Sequence, residues 1–175
     1  MNPRPLVNTR HLAALAFALS VLLGLCHALC YSTVLPDRVA THFDTSGVPD
    51  TWSSRSTMID IQLTVVVVVA AVFLALAGAA LRSPSRWTGA SRRLWWLSPE
   101  HFEGTRQDLA VRLLWLGTLT QLLVFDLFHR TVRVNTGRVP ALESVWLDLG
   151  AFGLAVAVWL ALLMWRYRQE PSTAA

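Results

Sequence analysis

The sequence contains no lysine, and all 15 basic residues among its 175 are arginine. Charged residues make up only 15% of the chain and hydrophobic residues 54%, which is too apolar for an ordinary soluble domain of this size. The arginines flank apolar runs and do not form a basic face on a polar domain. This pattern argues against nucleic-acid binding despite the net charge of +4. The composition therefore indicates an integral membrane protein.

The sequence also lacks the motifs of common catalytic sites. It has no G-x-S-x-G, no H-E-x-x-H and no phosphate-binding loop. Its two cysteines, Cys26 and Cys30, lie four residues apart in one apolar run, where a regular helix disfavours a disulfide and two buried thiols are the simplest interpretation. His42, Asp44 and Asp50 carry metal-ligand atoms without the spacing of a zinc site. We therefore expect no enzyme activity, no cofactor and no metal.

Four apolar runs are long enough to cross about 30 Å of hydrocarbon as helices. They cover residues 11–34, 58–81, 109–128 and 145–165. The second includes five consecutive valines, a strand-like pattern, but a lone strand cannot satisfy its backbone in lipid. Residues 1–31 also resemble a signal peptide, although the long apolar run without a small-x-small cleavage site favours a retained anchor. We predict an all-α membrane protein with four transmembrane helices in one domain, residues 1–175.

The arginines predict the orientation of these helices. Nine lie in the two tails and in segment 82–107, and five lie in the loops that follow the first and third helices. The positive-inside rule therefore places both termini in the cytoplasm of a multi-pass cell-membrane protein. Arg112 lies one turn inside the third helix, where its side chain can extend back to the headgroups. Residues 35–57 become an extracytoplasmic loop, and the lipid bilayer becomes the first expected partner.

The predicted outer loop contains strong turn signals. In an extended chain Val39, Thr41 and Phe43 would point to the same side, which suits a short extended segment. Asp44 to Gly47 has the composition of a turn in which glycine takes a positive φ. Ser53, Ser54 or Ser56 is placed to cap the second helix. We therefore predict an ordered loop between the first two membrane helices.

The same loop carries a recognisable order of residues: Leu35-Pro36, His42-Phe43, Gly47, Pro49-Asp50, Trp52 and Arg55. This order resembles the family called domain of unknown function 1648. The resemblance implies a bacterial membrane protein related to the first part of SdpI-type immunity proteins, which protect cells against a secreted peptide toxin. It implies no catalytic residue. Ala40 stands where the family usually has proline and Arg55 where lysine is common, and we expect both departures to relax the loop.

A looser part of the resemblance follows in Leu94-Trp-Trp-Leu-Ser-Pro-Glu100, Thr105 and Asn135. The run from Arg92 to Leu97 joins charge to aromatic residues, which suits an element in the headgroup layer or a docking surface for a cytoplasmic protein. Pro99 breaks the chain there, and a new helix is expected to begin near Glu100. Small residues at 75–79 and 150–157 allow close helix packing within the bundle or in a homo-oligomer.

Polar residues near the outer helix ends suggest a candidate ligand site. Asp60, Asp126 and Asp148 share one side of the predicted membrane, with Gln62, Gln121, His129 and Arg130 at similar depth. The aspartates either sit solvated among the headgroups or form a site for a cation or cationic peptide. The candidate ligand-binding residues are His42, Asp50, Trp52, Asp60, Asp126 and Asp148.

Two functions remain open from the sequence. One is a non-enzymatic membrane protein of the immunity or signalling type, which recognises an extracytoplasmic ligand or peptide through its outer loop. The other is an accessory or structural subunit of a larger membrane complex, in which the loop docks onto a membrane-protein partner.

Overall fold

The computed structural model describes residues 4–84, 93–143 and 145–168 of the chain. Arg86 and Arg92, which enter the charge argument above, lie outside the described residues. The elements in chain order are α1 (Arg4–Tyr31), β1 (Arg38–Phe43), β2 (Pro49–Ser54), α2 (Arg55–Arg82), α3 (Arg93–Trp96), α4 (Pro99–Asn135) and α5 (Val145–Arg168).

Four helices of the described chain are long and apolar enough to cross a membrane. They are Thr9–Tyr31 of α1, Arg55–Arg82, Pro99–Asn135 and Val145–Arg168. This confirms the prediction of four membrane-spanning helices. The third is much longer than the apolar run 109–128, because proline in its first turn favours helix initiation and the polar residues at both ends remain helical. Its 37 residues extend about 55 Å.

The helix bundle has two ends, and different helix termini come together at each. At one end of the bundle the end of α1 contacts α4 through His27 and His129, and Arg130 of α4 pairs with Asp148 at the start of α5. The β-strands also lie here, so we call this the hairpin end. The arginines here are Arg38, Arg55, Arg130, Arg133 and Arg138.

The opposite end joins the ends of α2 and α5 to the start of α4. The Arg106 guanidinium donates to the carbonyl of Leu81, and the Tyr167 hydroxyl donates to Asp108 Oδ2. We call this the arginine-rich end. Its described arginine side chains include Arg10, Arg82, Arg106, Arg112, Arg166 and Arg168.

The helices α1, α2 and α4 form the packed centre, and α5 lies at the periphery. Gly117 of α4 lies so close to Phe17 and Phe73 that a Cβ there would approach their ring atoms to 2.7 and 2.8 Å. In contrast, the only buried residue of α5 is Tyr167. The helices α1, α2 and α4 therefore form most of the core, and α5 adds Tyr167 to it near its end.

Both cysteines lie on the outward face of α1. Cys26 and Cys30 are free and exposed, so the expectation of buried thiols was wrong. The reason is that only a third of the apolar window of α1 is buried against neighbouring helices. A hydrophobic run in a membrane protein does not by itself say which of its faces meets protein and which meets lipid.

The segment between α1 and α2 is an antiparallel β-hairpin with irregular register next to Thr41. Gly47 has φ of +82° in the connecting turn, as the turn composition predicts, and Asp44 Oδ1 accepts from the backbone of Ser46 and Val48. Ser54 ends β2 and accepts from Thr57 N–H as the N-cap of α2. Strand, turn and cap thus follow one another without a free linker.

Candidate functional site

The hairpin docks onto the end of α4 through one asparagine. Asn135 Oδ1 accepts from the Ala40 N–H at 2.6 Å, and Asn135 Nδ2 donates to the Ala40 carbonyl at 3.0 Å. Because β1 has only one strand neighbour, half of its backbone groups face away from β2 and need another partner. Val39 and Ala40 are buried beneath this contact. One side chain therefore anchors the hairpin on the bundle.

The turn of the hairpin docks separately, on the segment that joins α4 to α5. The Leu142 N–H donates to the Gly47 carbonyl at 2.8 Å, and Trp146 Nε1 donates to the Thr45 carbonyl at 3.1 Å. A Cβ on Gly47 would lie 2.2 Å from the Leu142 oxygen, so the approach requires glycine. The hairpin is thus held at two points, by Asn135 near its base and by Leu142 and Trp146 at its tip.

A groove of about 490 Å³ opens between the tip of the hairpin and the start of α5. We call it the tip groove. Its walls combine the apolar side chains of Phe43, Val145 and Trp146 with two carboxylates, Asp44 and Glu143. Hydrogen bonds from the Ser46 hydroxyl and then from the Val48 backbone hold the pKa of Asp44 below its ordinary value. The groove therefore presents an apolar, aromatic surface beside negative charge at neutral pH.

The three predicted loop residues lie elsewhere on the hairpin. His42 Nδ1 lies 2.6 Å from Asp50 Oδ1, and both side chains are largely exposed. Trp52 is exposed, and the guanidinium of Arg38 lies 5.8 Å from its ring centroid. None of the three lines the tip groove. They form a separate exposed face across the two strands.

The predicted aspartates do not meet as a group of three. Arg130 Nε lies 2.6 Å from Asp126 Oδ2 and Arg130 Nη2 lies 2.8 Å from Asp148 Oδ2, the latter without hydrogen-bond alignment. Arg130 also donates to the Glu143 carbonyl. Asp60 is exposed on α2 and makes no hydrogen bond or ion pair within the described residues. Arg130 thus partly neutralises two of the three carboxylates and ties α5 to α4.

The polar residues predicted at similar depth lie inside the bundle. Gln62 Nε2 approaches His27 Nδ1 at 2.9 Å, and His27 Nε2 approaches His129 Nδ1 at 3.3 Å. Gln121 Nε2 donates to the Val66 carbonyl at 2.9 Å. Sequence reasoning did not select His27, since it is a lone polar residue in an apolar run and its partners are 35 and 102 residues away.

The groove residues at the junction between α4 and α5 were also missed. Leu142, Glu143 and Trp146 form one wall of the tip groove. Their sequence shows only a polar segment followed by an apolar run, and no local pattern says that the hairpin packs there. The tryptophan near a predicted membrane boundary was the one available signal, and it is equally typical of an interface anchor.

The arginine-rich end contains a second polar cluster. One carboxylate oxygen, Asp108 Oδ2, accepts from Arg112 Nε at 2.8 Å, Arg166 Nε at 3.1 Å and the Tyr167 hydroxyl at 3.0 Å. The Arg166 guanidinium also lies 5.8 Å from the centroid of the Trp96 ring. These contacts fix the far end of α5 on α4, and α3 joins the same cluster.

The comparison with known families gives one match. Residues 15–61 match the family described as domain of unknown function (DUF1648). No curated protein and no solved structure matches the chain. The matched stretch includes most of α1, the whole hairpin and the first residues of α2, and it confirms the family resemblance seen in the loop. Residues 15–61 of the chain are therefore similar to the DUF1648 family, whose function is unknown.

Proposed function

We propose that this protein is a non-enzymatic integral membrane protein that binds an extracytoplasmic ligand at its hairpin end, in the manner of an immunity or signalling protein. The proposed orientation has both termini in the cytoplasm of a bacterial cell. The clustering of arginines at the opposite end supports it through the positive-inside rule. In this orientation the hairpin and the tip groove face outward.

The tip groove is the observation that carries the proposal. A hairpin that served only as a connection would need no contact with residues 142–146, yet its tip is bonded to Leu142 and Trp146. The groove joins an exposed indole to Asp44 and Glu143. Aromatic walls beside carboxylates suit an amphipathic cationic peptide, whose apolar side chain packs on the ring while its basic group meets the acidic rim.

A photo-crosslinking amino acid at position 45 tests the proposal in intact membranes. We expect an adduct with a small extracytoplasmic peptide or ligand, lost when Trp146→Ala removes the indole wall. The same crosslinker at position 52, on β2 and outside the tip groove, is the matched control. An adduct at 52 alone would move the site to the His42, Asp50 and Trp52 face. No adduct at either position, in protein that folds and reaches the membrane, would reject ligand recognition by the hairpin.

An accessory or structural subunit is the second candidate function, and the exposure of α5 favours it. A Cβ added at Gly150 or Gly153 would meet no described atom within 4 Å, so the small-residue face of α5 is open to a close helix partner. A crosslinker at position 153 distinguishes the candidates. Capture of a different integral membrane protein supports the subunit function, and capture of a second copy supports a homo-oligomer.

A further inference from the structure

Three polar side chains from three helices form a hydrogen-bonded chain inside the bundle. His27 comes from α1, Gln62 from α2 and His129 from α4. His27 is 7% exposed and Gln62 is 1% exposed. Polar side chains are costly within a membrane bundle unless they are paired, so a row of three calls for an explanation beyond packing. It lies one to two turns below the hairpin, beneath the apolar cluster of Ala28, Leu35, Val39, Met58, Ile59 and Val132.

The hydrogen-bond partners show which atom donates and which accepts at each step of this row. The amide nitrogen of Gln62 is a donor only, and it lies 3.3 Å from the Gly24 carbonyl and 2.9 Å from His27 Nδ1. His27 Nδ1 must then accept, so a neutral His27 carries its hydrogen on Nε2. That hydrogen points at His129 Nδ1, which accepts at 3.3 Å. Both imidazoles are therefore fixed in the Nε2–H form by Gln62.

One atom in this row of three side chains lacks a hydrogen-bond partner. Gln62 Oε1 is buried and accepts no hydrogen bond within the described residues. A buried acceptor left unpaired destabilises the fold by about 1–3 kcal/mol. The same amide can rotate to place Oε1 towards His27 Nδ1, at the expense of the Gly24 bond. This rotated arrangement requires a hydrogen on Nδ1, which the neutral Nε2–H form assigned above lacks and which protonation of His27 adds.

The side chains that stack on or hydrogen-bond to the two imidazoles are uncharged. Tyr31 of α1 lies 4.7 Å from His27 between ring centroids, and Phe125 of α4 lies 5.1 Å from it. Gln62 is the polar group contributed by α2. Asp126 and Arg130 flank His129 in sequence but pair with each other. Within the described residues, no carboxylate or guanidinium forms an ion pair with either histidine, so the two rings respond mainly to each other.

We propose that His27 and His129 form a proton-binding site, in which Gln62 is the positioning residue that rotates to receive the added hydrogen. The incoming proton comes from water and binds His27 Nδ1. His27 then keeps its Nε2–H bond to His129, now strengthened by charge, and Gln62 Oε1 accepts from Nδ1–H. A single proton therefore pairs the amide oxygen and keeps the bond between the rings, while the amide nitrogen gives up its bonds to Gly24 and His27.

A second proton has the opposite effect. It would have to bind His129 Nδ1, which already faces the Nε2–H of His27 at 3.3 Å. Two N–H groups and two positive charges would then oppose each other across the contact between α1 and α4, so the protons bind in two coupled steps. The site is thus sensitive to acid at the contact beneath the hairpin, and it stands independently of the ligand proposal.

Histidine-selective 13C and 15N labelling of the full chain in lipid nanodiscs tests the proposal. The resonances are assigned by loss of a signal in His27→Gln and His129→Gln. At pH 8 we expect both rings in the Nε2–H form, which the 15N shifts report directly. As the pH falls to about 4.5, we expect the two rings to protonate in two separate steps, as coupled sites do. Finding His27 with hydrogen on Nδ1 at pH 8, or both rings protonating together in one step, would overturn the assignment.

Two substitutions separate positioning from a structural role. Gln62→Glu places a carboxylate beside His27 Nδ1, at the position that the amide oxygen reaches by rotation. The negative charge favours the protonated ring, so the midpoint of His27 protonation should rise by about one pH unit or more. Gln62→Leu should release His27 into a mixture of both neutral forms. Gln121→Leu is the matched control, because Gln121 is an equally buried amide that donates to the Val66 carbonyl instead of to a ring. An unchanged His27 midpoint in folded Gln62→Glu, or equal effects of both leucine variants, would exclude Gln62 as the positioning residue.

Discussion

Replacing Asn135 with alanine should release the hairpin from the bundle, since this one amide satisfies both backbone groups of Ala40. Ala40 is 2% exposed, so water cannot readily replace the lost partner while the hairpin stays docked. The third bond of Asn135, to the Thr131 carbonyl, matters less because that oxygen keeps its own partner in the helix. The substitution thus leaves one donor and one acceptor unpaired beneath the hairpin.

The expected loss follows from those two groups. A buried backbone donor or acceptor without a partner costs about 1–3 kcal/mol, so together they cost roughly 3 kcal/mol. Undocking relieves this cost by exposing Ala40 to water. Since 1.4 kcal/mol corresponds to a factor of ten, the equilibrium between docked and undocked hairpin should shift by about 100-fold.

Backbone hydrogen exchange of the purified protein measures this shift at the Ala40 amide. We expect exchange at Ala40 to accelerate about 100-fold in Asn135→Ala, since local opening sets exchange in a docked segment. Thr136→Val is the matched control, because the Thr136 hydroxyl bonds only to carbonyls of its own helix. If exchange at Ala40 changes no more in Asn135→Ala than in the control, Asn135 does not hold the hairpin.

Three further predictions concern the turn and the far end of the bundle. Gly47→Ala should lower the thermal stability of the protein, because it adds strain at φ +82° and a clash with the Leu142 backbone. Gly137→Ala is the control: its φ is +71° but its surroundings are open, so it should lower the free energy of unfolding by only about 1–2 kcal/mol. Asp108→Asn should loosen α5 and increase exchange in its last turn, since the shared carboxylate loses its charge. The pKa of Asp44 is lowered, first by the hydrogen bond from the Ser46 hydroxyl. The turn should therefore lose stability as the pH falls through that lowered pKa, and backbone chemical shifts of residues 44–48 should report the transition. The same shifts in Asp44→Asn should not change over this pH range.

Features governed by local rules could be predicted from the sequence. The membrane helices follow from apolar length, which the bilayer requires whatever the tertiary packing. Gly47 in the turn, a cap among Ser53, Ser54 and Ser56, and a helix that begins near Glu100 follow from backbone chemistry within a few residues. The length of α4 does not, because hydropathy marks the lipid-crossing part of a helix and not its polar ends.

Features that depend on how the helices are rotated could not be predicted. Placing Asp60, Asp126 and Asp148 at one depth required only helix length, but whether they meet depends on the face that each presents. Asp60 turns outward, whereas the other two share Arg130. The exposure of Cys26 is the same kind of error. A single sequence gives the depth of a residue in the membrane better than its direction.

Contacts between segments that are far apart in the sequence also could not be predicted. The hairpin is bonded to Asn135, 95 residues from Ala40, and its tip is bonded to the segment before α5. No periodic pattern within the hairpin encodes these partners. The family resemblance did mark Asn135 as a landmark, although it assigned no role to it. The structure supplies that role as the anchor of the hairpin.

At both departures from the family pattern, the structure shows contacts that the common family residue could not make in the same way. Ala40 keeps an N–H that proline lacks, and Asn135 accepts it. The Arg55 guanidinium donates from two nitrogens at once, to the Leu35 carbonyl and to Asp37 Oδ1, each at 2.9 Å. A lysine has one nitrogen and cannot span both acceptors with the same planar geometry.

These contacts predict that restoring the common family residues weakens the hairpin in this chain. Ala40→Pro removes the donor and leaves Asn135 Oδ1 unpaired, and Arg55→Lys gives up one of two bonds at the base of α2. We expect each to lower the protection of Val39 against hydrogen exchange, by about tenfold or more for Ala40→Pro and less for the partly exposed Arg55. Arg38→Lys, on the exposed face beside Trp52, is the control. Greater protection in either variant would mean that the departures do relax the hairpin and that its anchors lie elsewhere.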